Sequence, residues 1–162
     1  QLDVATGEQH MVLRDARIGD IVFNPADRSL WGLRHLNGYV TLVRVPAPYT
    51  SWNQIYTFPF GRVPFDLDIS SDGQMLSASM GEINGDQSVQ VFRIADLTPG
   101  ATPTPMASFS LGSSTPEGFV FFLKDRPLKL EGHSPITQSD RIISQLKYPK
   151  FKIFLRGYDC AA

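Results

Sequence analysis

Apolar and polar residues alternate along most of the chain in short runs, and turn-forming residues separate the runs. In Phe65-Asp66-Leu67-Asp68-Ile69 the alternation has a period of two, the period of a half-buried strand. Ser70-Ser71-Asp72-Gly73 follows as a turn: Asp and Ser bond the local backbone, and Gly accepts a positive φ. Met75-Leu76-Ser77-Ala78-Ser79-Met80 makes the next run. Asn84-Gly85-Asp86 reverses the chain. Val89, Val91 and Ile94, with Phe92 between, make a third run. Residues 97–105 form a Pro-rich connector, and residues 106–111 a fourth strand.

The preceding part of the chain follows the same scheme. Ile18-Gly19-Asp20-Ile21-Val22-Phe23 leads through a Pro-containing turn, Asn24-Pro25-Ala26-Asp27-Arg28, into Leu30-Trp31-Gly32-Leu33-Arg34-His35. Asn37-Gly38 between two apolar-rich runs is a strong hairpin signal. Tyr39-Val40-Thr41-Leu42-Val43-Arg44-Val45 has the β-branched and aromatic content of a strand. Pro46-Ala47-Pro48 makes a stiff connection to a fourth strand over residues 52–58. Residues 115–121 start the scheme a third time. At the N-terminus, Leu2-Asp3-Val4, the Gly7 turn and His10-Met11-Val12-Leu13 read as strand, turn and strand, so position 1 is expected to fall inside a structural unit.

The copies align. Phe23 to Leu30, Ile69 to Leu76 and Phe121 to Leu128 each place an apolar strand end seven residues before a leucine, at offsets of 46 and 52 residues. Periods of roughly 40–50 residues with four strands each are the sign of propeller blades, in which each sheet buries its faces against its neighbours. The expected fold is all-β: a partial β-propeller of about two four-stranded blades, at about 18–60 and 63–111 within a region 1–123, plus an irregular C-terminal tail with a short helix.

Phe65-Asp66-Leu67-Asp68-Ile69-Ser70-Ser71-Asp72-Gly73-Gln74-Met75-Leu76, with Phe119-Val120-Phe121, resembles the L/F-x-x-S-P-D-G-x-x-L signature of WD40-like propeller repeats of TolB type. Leu2-Asp3-Val4-Ala5-Thr6-Gly7-Glu8 resembles that family's x-D-x-x-T-G turn. The resemblance covers residues 1–123. Ser71 stands where Pro is usual, and Asn24-Pro25-Ala26-Asp27 lacks the Gly; both are tolerable turn variants. The resemblance implies blade architecture, a protein partner and a periplasmic or cell-envelope setting. It says almost nothing of a ligand.

After Phe121 the pattern departs. Residues 1–123 hold 7 bases, all arginine, and 12 acids; residues 124–162 hold every lysine and count 8 bases against 4 acids. Residues 137–146 (TQSDRIISQL) read as a short helix, with Thr137 as N-cap and Ile142, Ile143 and Leu146 on one face. Residues 151–155 read as a strand. Two readings of the tail 124–162 stand side by side: an extension that packs on the propeller, and a sequence whose reading frame is disrupted near Phe121.

The chain has 162 residues, 42% of them hydrophobic and 19% charged, which fits one folded domain. A net charge of −1 argues against a general polyanion binder. Cys160 is the one cysteine, so no intrachain disulfide forms. No apolar run approaches the roughly 20 residues of a membrane helix, so no membrane span is expected. No leader is visible at the start and the chain lacks an initial Met, which suggests a piece of a longer polypeptide.

Candidate chemistry is sparse. Asp66, Asp68 and Asp72 could offer oxygens to Ca²⁺, but two share a strand face and the third belongs to a turn, the pattern of ordinary surface and turn chemistry. His10, His35, His133 and Cys160 have no zinc spacing. Gly-x-Ser-x-Gly, Gly-x-Gly-x-x-Gly and a P-loop lysine are absent, so no catalytic residue, cofactor or metal is assigned. The interleaved Lys147-Tyr148-Pro149-Lys150-Phe151-Lys152 could touch nucleic acid, yet it is short and no nucleic-acid partner is expected. Trp31, Trp52, Tyr39, Tyr49, Tyr56, Phe58 and Phe60 read mainly as core between blades. Loops carry function on rigid scaffolds, so the candidate binding residues are Glu82, Asn84 and Asp86 in one loop, and Tyr49 and Trp52 in another, expected at one rim.

The expected function is a non-enzymatic scaffold or interaction module. Its partner would be another protein, the rest of a longer propeller chain, or a second copy through open blade faces. One alternative is the non-catalytic propeller part of a peptidase-type hydrolase; another, weaker, is a carbohydrate-binding β-domain.

Overall fold

The computed structural model describes residues 1–113, 116–123, 142–143 and 151–157. Antiparallel pairing joins them into three sheets. Sheet 1 holds β1 (Ile18–Phe23), β2 (Leu30–Leu36), β3 (Tyr39–Val45) and β4 (Asn53–Thr57) in that order. Sheet 2 holds β5 (Arg62–Ile69), β6 (Met75–Glu82), β7 (Gln87–Arg93) and β8 (Ala107–Gly112), again in order. In sheet 3, β9 (Pro116–Leu123) pairs with β11 (Phe151–Gly157), which pairs with β10 (Ile142–Ile143). The chain is all-β, with one 3-10 turn, Ile94–Asp96, as the helix among the described residues.

Local chemistry fixes the reversals. Asn37 and Gly38 both take positive φ, 52° and 80°, the two-residue hairpin geometry whose twist matches the strands it joins. Asp72 Oδ1 accepts from Ser70 Oγ and from the Gln74 N–H, while Ser70 Oγ accepts from the Met75 N–H. Gly73 at φ 69° completes that turn.

Sheets 1 and 2 share a register. Phe23 pairs with Leu30 as Ile69 pairs with Leu76, and Val22 with Trp31 as Asp68 with Ser77. Leu33 opposite Leu42 matches Ser79 opposite Val89. Trp31, Leu33, Val40, Leu42 and Ile55 of sheet 1, with Phe58 just after β4, form one buried cluster with Leu67, Ile69, Leu76, Ala78, Met80 and Phe92 of sheet 2. Burying each of the larger side chains contributes about 1.5–3 kcal/mol of transfer free energy. A second, smaller cluster on the opposite face of sheet 2 centres on Val89 and Val91, with Phe109 and Leu111 packed beside them. The step repeats: β5 lies against β1, β2 and β3, and β9 lies against β5, β6 and β7.

Asn24 ties the first two sheets at their turns. It is 1% exposed; its Nδ2 donates to the Gly73 carbonyl at 3.2 Å, and its Oδ1 accepts from the Ala26 N–H. A Cβ on Gly73 would collide with Asn24 Oδ1 and Ala26, so this glycine is demanded by a neighbour as well as by its own φ.

The structure corrects several expectations. The N-terminal strand pair reduces to a single bridge, Leu2 to Gln9. Asp3 Oδ1 accepts from the Ala5 and Thr6 N–H groups and closes the loop too tightly for a longer ladder. Ile94 starts the 3-10 turn instead of ending β7. At Ile142–Ile143 the expected helix is a strand, since both residues pair with β11; the rest of residues 137–146 lies outside the described residues. So do His133, Cys160 and residues 147–150 of the basic–aromatic tail. Tyr39 and Phe60, expected in the core, are 47% and 71% exposed.

Candidate interaction rim

Antiparallel order puts the β1–β2, β3–β4 and β5–β6 connections at one end of the sheets, the turn end. The β2–β3, β4–β5 and β6–β7 connections lie at the other, the hairpin end. The two loops carrying the candidate binding residues are therefore at opposite ends, and the structure does not bring them together.

At the hairpin end, Tyr39, Phe60 and Ile83 are exposed apolar side chains, Ile83 at 62%. Tyr39 and Phe60 meet edge to face with ring centroids 6.2 Å apart. Gly61, at φ 86°, brings its carbonyl within 2.8 Å of the Ile83 N–H, so the β4–β5 connection and the β6–β7 loop are hydrogen-bonded to each other. Phe60, Gly61, Arg62, Glu82 and Ile83 line an open cleft of about 500 Å³.

Glu82 stands in that cleft. Its Oε1 is 3.0 Å from Arg62 Nε, and Arg62 Nη2 donates to Gln90 Oε1 at 3.3 Å. The Nε contact is an ion pair at close range without hydrogen-bond alignment, because Arg62 Nε has no hydrogen-bond partner. Asn84 takes the left-handed conformation, φ 61°, at the loop tip and is exposed. Asp86 Oδ2 accepts from Ser110 Oγ at 2.8 Å and pins the loop to β8. Of the three residues expected in this loop, Glu82 is instead the last residue of β6, paired with Arg62, and lines the cleft, while Asp86 braces the loop behind it.

Tyr49 and Trp52 have other partners. Tyr49, at φ 71°, donates its hydroxyl to the Arg28 carbonyl at 2.9 Å and joins the β3–β4 connection to the β1–β2 turn. The Arg34 guanidinium lies 5.0 Å from the centre of the Trp52 ring, a cation–π contact, while Arg34 Nε donates to the Ala16 carbonyl.

Two features escape a reading of the sequence. Phe60 reads as core among the other aromatics, yet it is the most exposed aromatic of the rim; its place between Pro59 and Gly61, outside any alternating run, is the available signal. Asp27, Ser29 and Trp31, spaced two apart, form a polar chain. Trp31 Nε1 donates to Ser29 Oγ at 3.1 Å, Ser29 Oγ donates to Asp27 Oδ1 at 2.6 Å, and Arg44 Nη2 holds Asp27 Oδ2 at 2.8 Å. Partial burial pulls the Asp27 carboxyl upward, but the Ser29 hydroxyl and N–H and the Arg44 guanidinium outweigh it and hold it below the usual carboxylate range.

Among the described residues no group of three or more His, Cys, Asp or Glu is placed to hold a metal ion. His10 lies 3.4 Å from Glu8, and His35 lies 3.9 Å from Asp20. No helix of the described residues is long and apolar enough to cross a membrane. No protein-family model, curated protein or solved structure matches the chain.

Proposed function

We propose that this chain is a non-enzymatic scaffold segment of β-propeller type that binds a protein partner at its hairpin-end rim. The observation that carries the reading is the exposed group Tyr39, Phe60 and Ile83, set around the Arg62–Glu82 ion pair in one cleft. Exposed aromatic and aliphatic groups beside an arginine are the composition of interface hot spots. The cleft suits one apolar side chain of a partner loop, with a flanking polar group answering Arg62 or Glu82. Support for the propeller architecture comes from the common register of sheets 1 and 2 and from the repeated step by which β5 meets sheet 1 and β9 meets sheet 2.

The test uses peptides selected from a displayed library on the full chain. Their affinity is then measured against the chain carrying Phe60→Ser and Ile83→Ser. The expected loss is about tenfold or more. Selected peptides that bind both chains equally, or a library that yields no binder, overturn the rim assignment.

A further inference from the structure

Among the described strands, β1 and β5 each stand first in a four-stranded sheet, so each has one edge without a ladder partner. Antiparallel pairing turns every second residue's N–H and C=O to the partner and the others to the open side. In sheet 2 the Ser70 N–H donates to the Met75 carbonyl, so Ile69, paired with Leu76 beside it, turns its N–H outward, as does Leu67. Both outward groups are taken: the Ile69 N–H donates to Asp68 Oδ1 at 2.9 Å, and the Leu67 N–H to Asp66 Oδ1 at 3.0 Å. Pro64, near the start of the same edge, has no N–H to offer. The two acids and the proline blunt β5 against an added strand.

β1 lacks these devices. In the frame the two sheets share, Ile18, Asp20 and Val22 stand where sheet 2 has Pro64, Asp66 and Asp68. The Asn24 N–H donates to the Ser29 carbonyl at 2.8 Å, so Phe23, paired with Leu30 beside it, turns its N–H and C=O outward. Val22 has no oxygen with which to take that N–H. The Asp20 carboxylate is turned to His35, 3.9 Å from Nε2. Both edges carry a bulge at the matching place, so the bulge does not separate them. Ile21 and Phe23, 56% and 47% exposed, set apolar side chains along the open edge.

We propose that the β1 edge is a site of strand addition, where an extended segment of a partner protein pairs with the backbone at Phe23. The chemistry of the occupant follows from the edge. The outward N–H and C=O of Phe23 call for a C=O and an N–H offered by extended backbone; a helix has already spent its own on internal bonds. Beside Ile21 and Phe23 the added strand places β-branched or aromatic residues, the cross-strand neighbours such side chains favour. Val22 packs on the buried cluster and β5 lies close by, so the residue opposite Val22 is small and apolar. The edge is separate from the rim, and its reading does not depend on the propeller architecture.

The test selects short peptides, with Val, Ile, Tyr or Phe at every second position, from a displayed library. The full chain carrying Phe60→Ser and Ile83→Ser is the bait, so the rim takes no part. The tightest peptide is then N-methylated at one residue at a time. Affinity is expected to fall about tenfold at every second residue, where the methyl group removes an N–H that faces β1, and to hold at the residues between. Amide exchange at Phe23 is expected to slow when the peptide is bound. Val22→Asp gives β1 the acid that Asp68 gives β5, and is expected to weaken binding at least about tenfold. A library without binders, losses that do not alternate, Phe23 exchange unchanged by the peptide, or full affinity of a folded Val22→Asp chain each overturns the proposal. Should Val22→Asp unfold the chain by circular dichroism, the alternation and the Phe23 exchange, both read with Val22 in place, decide it.

Discussion

Sheet 1 and sheet 2 place different side chains in one frame. At the position where sheet 1 has Trp31, sheet 2 has Ser77; where sheet 1 has Leu33, sheet 2 has Ser79; where sheet 1 has Val22, sheet 2 has Asp68. All of Trp31, Leu33, Ser77 and Ser79 are nearly inaccessible to solvent. Along β2 the face that sheet 1 presents to sheet 2 is thus large and apolar; along β6 the matching face of sheet 2 is small and polar, with the buried Val89 and Val91 beside it on β7. Ser79 Oγ is buried without a hydrogen-bond partner, whereas Trp31 finds one in Ser29. The same register therefore buries a large apolar pair in β2 and a small polar pair in β6, and burial alone does not report which is which.

Truncating the matched pair Leu33 and Ser79 should separate the two faces most clearly. Leu33→Ala should cost about 2–5 kcal/mol, because it opens a cavity in the interface between sheets 1 and 2. Ser79→Ala removes a buried hydroxyl that gains nothing from the fold, and should change stability by about 1 kcal/mol or less, in the stabilising direction. Urea unfolding of both variants with a common slope is the measurement. A Leu33→Ala cost no larger than the Ser79→Ala effect would mean that the apolar pair in β2 stabilises the fold no more than the serines of β6 do.

The strands are legible because each half-buried strand writes its period into the sequence. Ile18–Phe23 and Tyr39–Val45 are found at the expected bounds, and the Phe23/Ile69 alignment predicts the shared register. What resists reading depends on the third dimension. Tyr39 alternates within a strand like any core residue, but it pairs with Leu36 at the very end of the β2–β3 ladder, and alternation carries no information about whether a strand end is covered by other parts of the chain. Tyr49 reads as a loop residue and so does Glu82, which the structure places at the end of β6; the sequence therefore suggests one rim, and only the antiparallel order assigns them to opposite ends. Composition cannot distinguish the Asp66–Asp68 strand from a ligand site, and the register shows that these residues share the serine face of sheet 2.

The two turns test the comparison at a finer scale. Gly73→Ala should cost about 3 kcal/mol, combining left-handed strain with the collision against Asn24 and Ala26. Gly7 has a similar φ, 74°, with no atom within 4 Å of where a methyl group would sit, so Gly7→Ala isolates the strain and should cost about 1 kcal/mol. Asn24→Ala together with Gly73→Ala should cost less than the sum of the two single changes, because the first makes room for the second. Additive costs would mean that the turns of sheets 1 and 2 are not coupled through this contact.

The smallest expected effect concerns the acids of those same turns. Asp27 in the first turn is gripped by Ser29 and Arg44, while Asp72 in the second is held by Ser70 and the Gln74 N–H. The carboxyl of Asp27 is more acidic folded than unfolded, since its ordinary value of 3.8 is lowered by those partners against the opposing pull of burial. The folded protein then binds that proton less readily than the unfolded chain does. Its stabilisation is complete above 3.8 and is lost as pH falls below 3.8 and through the lower folded value. Asp27→Asn should remove about 1 kcal/mol at neutral pH, an amount discounted for the partial exposure of the ion pair, and should flatten part of the acid limb of a stability–pH curve. Part of the slope should remain, because the Thr6 and Ala5 N–H groups also hold Asp3 below the usual range. Arg44→Met should reproduce part of the Asp27→Asn loss at neutral pH and add little to it in the double variant. An acid limb unchanged by Asp27→Asn would place the pH-sensitive anchoring elsewhere than in the first turn, and the contrast between the two turns would then rest on Trp31 and Ser29 alone.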